Sequence, residues 1–164
     1  MNIYGFEKGK ETEKAVKRFL GLAEKVSKAG QIDAIYNDVS IEVKRGACAL
    51  YVGKRFNHYR NASNAISKLI SSAFLHEGTN EGSALERSEK VAYSIDGTVE
   101  NTRIMSMHCF LSIAESTGAV RLSKQGKGMK MLRIVPNKIF REAIASRTTL
   151  ADWKARQDEK EGRA

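Results

Sequence analysis

The sequence predicts a mixed α/β (α+β) fold with the element order α-β-β-β-α-β and a mixed sheet, extended by a C-terminal helix and a basic β-hairpin. Two observations support this prediction. Apolar residues recur at helical spacing in two segments, and three strand-like segments lie between them. The composition, 41% hydrophobic and 29% charged with a single proline in 164 residues, is that of a chain that folds around a core.

The N-terminal elements are predicted in the following order. The first helix runs from Thr12 to Lys28 with Gly30 as its C-terminal stop, which leaves a short link to the strands. The three strands are "QIDAIYN", "VSIEVKRG" and "ACALYVGKR", and the third is expected at the centre of the sheet because it is almost wholly apolar. A second helix follows over about residues 63–77, then a polar, mobile loop over 78–88 and a fourth strand, "EKVAYSI".

The C-terminal third is predicted to contain a long helix over about residues 98–117 and then the hairpin "AVRLSKQGKGMKMLRIV". Asn137 is expected to cap a short helix that ends at Ser146, and the polar tail "DWKARQDEKEGRA" is expected to fray. The predicted division is a core over 1–97 and an extension over 98–164 that packs on it. A helix followed by a basic hairpin is also typical of a winged-helix module, which is one alternative for the extension.

Charge and composition limit the function. Lys and Arg number 28 against 19 Asp and Glu, a net charge of +9, which indicates a polyanionic partner and above all nucleic acid. No apolar run approaches the ~20 residues of a membrane span, so the protein is expected in the cytoplasm. Cys48 and Cys109 have no partners at metal-ligand spacing and are expected to be reduced core residues.

The segment "QIDAIYNDVSIEVK", residues 31–44, predicts a hairpin with a charged face. If Asn37-Asp38 is a two-residue turn, the numbers of opposed residues sum to 75. One face is then apolar: Ile32, Ala34, Tyr36, Val39, Ile41 and Val43. The other face places Asp33 opposite Glu42, with Lys44 one step along, and like charges across a strand pair are unfavourable. A hard cation such as Mg²⁺ would offset that repulsion, whereas the alternative is a solvated pair neutralised by nearby bases.

This pattern resembles that of the PD-(D/E)xK nuclease superfamily, which has a restriction-endonuclease-like core. The resemblance covers about 90 residues, from Gly9 to about Ile95, and "IEVK" at 41–44 is the form seen in archaeal-type Holliday-junction resolvases. It implies that Asp33 and Glu42 are the two motif acids and Lys44 is the motif lysine. The glutamate that the family often adds on the first helix is matched best by Glu13, with Glu11 as the second choice.

The resemblance implies a Mg²⁺-dependent nuclease that hydrolyses DNA phosphodiester bonds as an endonuclease, structure-specific or restriction-like, with Mn²⁺ able to substitute. Asp33, Glu42 and the backbone carbonyl of Val43 would bind the metal, with Glu13 reaching it directly or through water. Lys44 would orient the attacking water. By analogy the protein is expected to form a homodimer. The main alternative is a non-catalytic DNA- or RNA-binding protein.

Two basic segments are candidate nucleic-acid contacts. The first, "GKRFNHYRN", mixes bases with aromatic residues, a composition suited to phosphate contacts with base stacking nearby. The second is the C-terminal hairpin. The candidate residues are Lys54, Arg55, Arg60, Arg121, Lys124, Lys127, Lys130 and Arg133. The alternative for both segments is a set of solvated surface charges.

Overall fold

The computed structural model describes residues 3–50, 58–125 and 129–162, and the side chains of 7–50, 58–123 and 131–162. Within these ranges the chain forms a mixed α/β fold, as predicted. Its elements in chain order are α1 Ile3–Phe19, β1 Ala34–Tyr36, β2 Val39–Arg45, β3 Cys48–Leu50, α2 Ala62–His76, α3 Ala84–Arg87, β4 Lys90–Ser94, β5 Thr102–Ser106, α4 Met107–Ser116, β6 Val120–Gln125, β7 Met129–Ile134, α5 Lys138–Ala145 and α6 Leu150–Lys160. No helix among them is both long and apolar enough to cross a membrane.

The described strands form two sheets. The first is mixed, with the order β1-β2-β4-β5, in which β2 and β4 are parallel and the other pairs are antiparallel. The second is antiparallel, with the order β3-β7-β6. The central strand β2 of the mixed sheet carries the motif "IEVK", so Glu42 and Lys44 lie on a strand inside the fold rather than on a loop.

Apolar cores cover both faces of the mixed sheet. On one face, a small core joins α1 and α6 to the sheet through residues such as Val16, Ile41 and Trp153. On the other, a large core joins β4 to α2, α4, α5 and the second sheet, with Tyr93, Phe110 and Phe140 in ring contact. Residues of the predicted core, 1–97, and of the predicted extension, 98–164, contribute to each of these two apolar cores. Cys48 and Cys109 are free and pack against the large core, as expected.

The predicted hairpin register is confirmed. Ala34 pairs with Ile41 and Tyr36 with Val39, and Asn37 and Asp38 both have positive φ, 50° and 67°, as a primed two-residue turn requires. Ala34, Tyr36 and Ile41 are buried in the small core, whereas Ile35 on the opposite face is 56% exposed. Strand β1 contains only three residues, so Asp33 lies just outside the ladder.

The predicted boundaries of the first helix are wrong. Helix α1 ends at Phe19, and Gly21 takes the left-handed conformation with φ of +74°. The Leu22 amide donates to the Lys17 carbonyl at 2.8 Å and the Gly21 amide to that of Arg18 at 3.0 Å, the pattern of a Schellman cap. Residues 22–33 are therefore a long link that passes over the site, not a short one.

The third predicted strand is not in the centre of the first sheet. Strand β2 already has β1 along one edge and β4 along the other, so no edge remains for β3. Instead β3 pairs with β7 in the second sheet, from Cys48 opposite Ile134 to Leu50 opposite Leu132. The rest of the predicted strand falls within residues 51–57, outside the described residues.

Three other predictions are wrong. The segment predicted as one helix over 98–117 instead contains β5 and α4, and the Ser106 side chain caps α4. An apolar core lies on each face of β5, with Ile104 in the small core and Met105 in the large one, so the sequence of β5 does not alternate between apolar and polar residues. The loop over 78–88 contains α3, which is fixed by a capping box between Ser83 and Glu86. The tail forms α6, because Trp153 packs against Tyr36 in the small core.

The C-terminal hairpin and the cap by Asn137 are confirmed.

Candidate metal centre and nucleic-acid interface

Three separate elements bring the predicted site residues together. Glu13 projects from α1, Asp33 precedes β1, and Glu42 lies in β2. The charges of Asp33 and Glu13 both act on Glu42, and Glu13 and Asp33 bind the same serine hydroxyl. Glu13 is only 6% exposed, whereas Glu11, the second choice, is exposed. The fold therefore selects Glu13 for the cluster.

Glu42 is a buried acid with an unused oxygen. Its side chain projects from the same face as Val91, its neighbour on β4, and the residue is 8% exposed. Oε1 lies 3.7 Å from the Lys44 Nζ, while Oε2 is buried and has no hydrogen-bond partner in the described part of the chain. Burial, followed by the charge of Asp33 and more weakly that of Glu13, raises the pKa of Glu42 to about 8 against the opposing effect of Lys44.

Ser27, in the link after α1, joins the other two acids. Its amide donates to Glu13 Oε2 at 2.9 Å, and its Oγ lies 2.8 Å from Glu13 Oε1 and 2.6 Å from Asp33 Oδ1. The second oxygen of Asp33, Oδ2, accepts from the Val43 amide at 2.9 Å. Asp33 is therefore held between the link and β2.

The Ser27 hydroxyl lies between the carboxyl groups of Glu13 and Asp33 and has one hydrogen, so it can donate to only one of them. Burial, followed by the hydrogen bond and charge of Asp33, raises the pKa of Glu13, although the bonds from Ser27 oppose the change.

Two lysines border the acids. Lys44 Nζ donates to the Ala49 carbonyl of β3 at 3.0 Å, so the motif lysine bridges the two sheets. Lys17, one turn after Glu13 on α1, is buried; its Nζ lies 3.8 Å from Glu13 Oε2 and donates to the Lys25 carbonyl. Lys17 thus fixes the link against α1 close to Ser27.

The donor set fits a hard divalent cation. Oxygens of Asp33 and Glu42 are the ligands that Mg²⁺ prefers, and the partnerless Glu42 Oε2 is a buried acceptor that a cation would satisfy. As the side chains stand, no three or more His, Cys, Asp or Glu residues within the described ranges are arranged to hold a metal ion. Of the three acids, Glu13 has both of its carboxylate oxygens in contact with Ser27. The Val43 amide donates to Asp33 Oδ2, and the predicted role of the Val43 carbonyl as a metal ligand stays a prediction.

The predicted nucleic-acid residues are only partly placed. Arg60 is exposed just before α2. Arg121 and Arg133 are exposed and lie directly opposite each other on β6 and β7. Lys124 and Lys130 pair in the same ladder, but their side chains lie outside the described residues. Lys54, Arg55 and Lys127 also lie outside the described residues.

Sequence reasoning missed Ser27 and Lys17. The available signals were Gly21, a helix stop nine residues before Gly30, and the four-residue spacing of Lys17 from Glu13, which places both on one face of α1. Neither signal shows that the link folds back over the acids. That path depends on tertiary bonds from Lys17 to Lys25 and from Ser27 to Glu13.

The raised pKa of Glu42 predicts how the stability of the metal-free protein depends on pH. The unfolded chain releases this proton near pH 4.5, whereas the folded chain keeps it up to about pH 8. The contribution of Glu42 to the free energy of unfolding is therefore complete below pH 4.5. Between pH 4.5 and about 8 this contribution falls by about 1.4 kcal/mol per pH unit, and above about pH 8 it is lost.

Urea unfolding in EDTA, followed by the fluorescence of the single tryptophan, measures this slope. Glu42→Gln should remove it, and Glu115→Gln, at an exposed position of α4, should leave it intact. Equal pH slopes for the wild type and Glu42→Gln would contradict the assignment.

Comparison with known proteins finds no match for this chain among protein-family models, curated proteins or solved structures. The resemblance to the PD-(D/E)xK superfamily therefore rests on the motif residues and on the geometry described above.

Proposed function

We propose that the protein is a Mg²⁺-dependent nuclease that hydrolyses DNA phosphodiester bonds, built on a restriction-endonuclease-like core. The observation that carries the proposal is the buried Glu42 side chain beside Asp33 and Lys44, one oxygen of which has no hydrogen-bond partner among the described residues. A purely structural role does not account for a buried acid placed beside two others, because burying a polar group without a hydrogen-bond partner is costly. A bound cation would offset this cost.

Asp33 and Glu42 would hold the metal, which when bound would stabilise charge on the phosphate and lower the pKa of a water molecule. Lys44 places its Nζ 3.7 Å from Glu42 Oε1 while it donates to the Ala49 carbonyl. There it would hold the attacking water and offset negative charge on the substrate. The expected products, by family analogy, are a 5′-phosphate and a 3′-hydroxyl.

Ser27 would keep Asp33 in its ligating orientation, together with the Val43 amide. Outer partners of this kind typically contribute 10- to 100-fold to metal affinity. We expect Ser27→Ala to weaken Mg²⁺ binding by about that factor, and Ser27→Thr, which keeps the hydroxyl, to restore most of it. The link itself should stay in place, because Lys17 and the Ser27 amide hold it independently of the hydroxyl.

Isothermal titration with Mg²⁺ in the absence of DNA measures this effect. Ser71→Ala, at an exposed serine of α2, is the matched control and should bind Mg²⁺ as the wild type does. Wild-type affinity in Ser27→Ala would show that the hydroxyl does not orient Asp33.

The nuclease is tested by incubating wild-type protein with supercoiled plasmid, linear duplex and a four-way junction, each with Mg²⁺ and with EDTA. Cleavage that needs Mg²⁺ supports the proposal, and the preferred substrate separates structure-specific from general cutting. Salt-sensitive binding without cleavage in either condition would refute it and favour the non-catalytic nucleic-acid-binding alternative.

A further inference from the structure

Lys17 is a buried lysine that the proposed chemistry does not use. It lies one turn after Glu13 on α1, and the residue is only 8% exposed. Burying a charged group is costly unless the group is paired and hydrogen-bonded, so the contacts of this ammonium group indicate its role. The ammonium group donates to the Lys25 carbonyl at 2.5 Å and lies 3.8 Å from Glu13 Oε2.

Lys17 holds the link over residues 22–33 through both its backbone and its side chain. The Lys17 carbonyl accepts from the Leu22 amide at 2.8 Å, and the ammonium group binds the Lys25 carbonyl three residues later. Ser27 is two residues beyond Lys25, and two residues of chain span at most about 7 Å. Ser27 therefore has little freedom to move away while Lys25 is held.

The contacts of Lys17 converge on the hydrogen bond between Ser27 and Glu13. The Ser27 amide donates to Glu13 Oε2 at 2.9 Å, and the same oxygen is the one that Lys17 Nζ approaches. On its other side, the Ser27 hydroxyl lies 2.6 Å from Asp33 Oδ1. A chain of contacts therefore runs from Lys17 through the link and Ser27 to Asp33, one of the two proposed metal ligands.

The position of Lys17 differs from that of the motif lysine. The strongest charges on the Glu42 carboxyl group come from Asp33, Lys44 and Glu13. Lys44 reaches that group directly, with Nζ 3.7 Å from Oε1. An effect of Lys17 on the metal centre has to pass through Glu13 or through the link, and the bond to the link is the shorter of its two contacts.

We propose that Lys17 is a positioning residue of the candidate metal centre: by holding the link at Lys25, it keeps the Ser27 hydroxyl against Asp33. The inference rests on the proposed function for the identity of the metal as Mg²⁺. Residues outside the ligand set that orient a ligand typically contribute about 10- to 100-fold to metal affinity. Because Lys17 acts through the Ser27 hydroxyl, the two residues should contribute as one unit and not independently.

Isothermal titration with Mg²⁺ in the absence of DNA tests this coupling as a double-mutant cycle. Lys17→Met keeps the length of the side chain and removes the donor to the Lys25 carbonyl. We expect this change to weaken Mg²⁺ binding about tenfold in the wild-type background, but less than about threefold in Ser27→Ala, where the hydroxyl is already absent. Lys17→Ala completes the same cycle if Lys17→Met does not fold.

Hydrogen exchange of the Ser27 amide in EDTA gives a second measurement that needs neither metal nor substrate. This amide is bonded to Glu13 Oε2, so its exchange reports whether the link stays in place. Lys17→Met should accelerate its exchange at least about tenfold and leave the exchange of the β4 amides unchanged. The matched control is Lys14→Met, which removes an exposed lysine from the same helix and should alter neither the exchange nor Mg²⁺ binding.

Two outcomes would overturn the proposal alone. The first is an equal loss of Mg²⁺ affinity on changing Lys17 in the wild-type and Ser27→Ala backgrounds, because Lys17 would then act independently of the hydroxyl. The second is unchanged exchange of the Ser27 amide in Lys17→Met. The expected coupling in a protein that binds Mg²⁺ but does not cleave DNA would support this inference and refute the nuclease, whereas a wild type that binds no Mg²⁺ would refute both.

Discussion

Replacing Glu42 by glutamine should abolish Mg²⁺-dependent cleavage, lowering kcat/KM at least about a thousandfold, and should remove measurable Mg²⁺ binding. Glutamine keeps the size of the side chain and removes its charge, so the buried position is filled but offers a much weaker ligand. The free energy of unfolding in EDTA should not fall at neutral pH, because the burial that raises the pKa of Glu42 to about 8 opposes folding there. Plasmid cleavage, isothermal titration with Mg²⁺ and urea unfolding measure these three effects.

The control for this prediction is Glu115→Gln, which changes an exposed acid of α4 and should behave as the wild type in all three measurements. The contrary outcome is a Glu42→Gln protein that still cleaves plasmid at a rate near that of the wild type. A variant that is folded and inactive but binds Mg²⁺ with unchanged affinity would place the metal elsewhere and remove Glu42 from the ligand set.

Lys44→Met should separate metal binding from chemistry. Cleavage should fall by about 10²- to 10³-fold, because the substrate and its attacking water lose a fixed positive charge. Mg²⁺ binding should persist or tighten, since the ammonium group 3.7 Å from Glu42 Oε1 competes with a cation for that carboxylate. Single-turnover cleavage at saturating Mg²⁺ and a Mg²⁺ titration without DNA make the comparison.

Lys68→Met is the matched control, because Lys68 is exposed on α2. It should cleave as the wild type does. If Lys44→Met lost Mg²⁺ binding together with activity, while its unfolding in EDTA showed an intact fold, the lysine would be holding Glu42 in place and would not take part in the chemistry. Glu42→Gln and Lys44→Met therefore test the two halves of the site independently.

The hairpin geometry could be predicted because every quantity that decides it is local. Strand periodicity is two, and Asn37-Asp38 tolerates positive φ, so one register alone buries Ala34, Tyr36 and Ile41 together. The same register places Glu42 and Lys44 on the opposite face. The candidate acids followed from this argument and from the motif that they resemble.

The end of α1 could not be predicted from the same kind of pattern. Apolar residues continue at helical spacing through Leu22 and Val26, and Gly30 is an adequate stop. The structure instead uses Gly21, because residues after it gain bonds to Lys17 and Glu13 that a continuing helix would forgo. Because the helix ends before Gly21, Ser27 lies in the link and contacts Glu13 and Asp33.

The sequence by itself determined the mixed α/β class, the β1–β2 register, the position of Glu42 and Lys44 on β2 and the basic charge of the chain. Only the tertiary structure decided that Glu13 joins these residues, that Ser27 contacts two carboxyl groups, and that β3 pairs with β7 in the second sheet, where the Ala49 carbonyl accepts from Lys44. The physical reason is the distance along the sequence over which each effect acts. Alternation and turn preferences act within a few residues, whereas these contacts join positions distant in sequence through burial and pairing that depend on the whole fold.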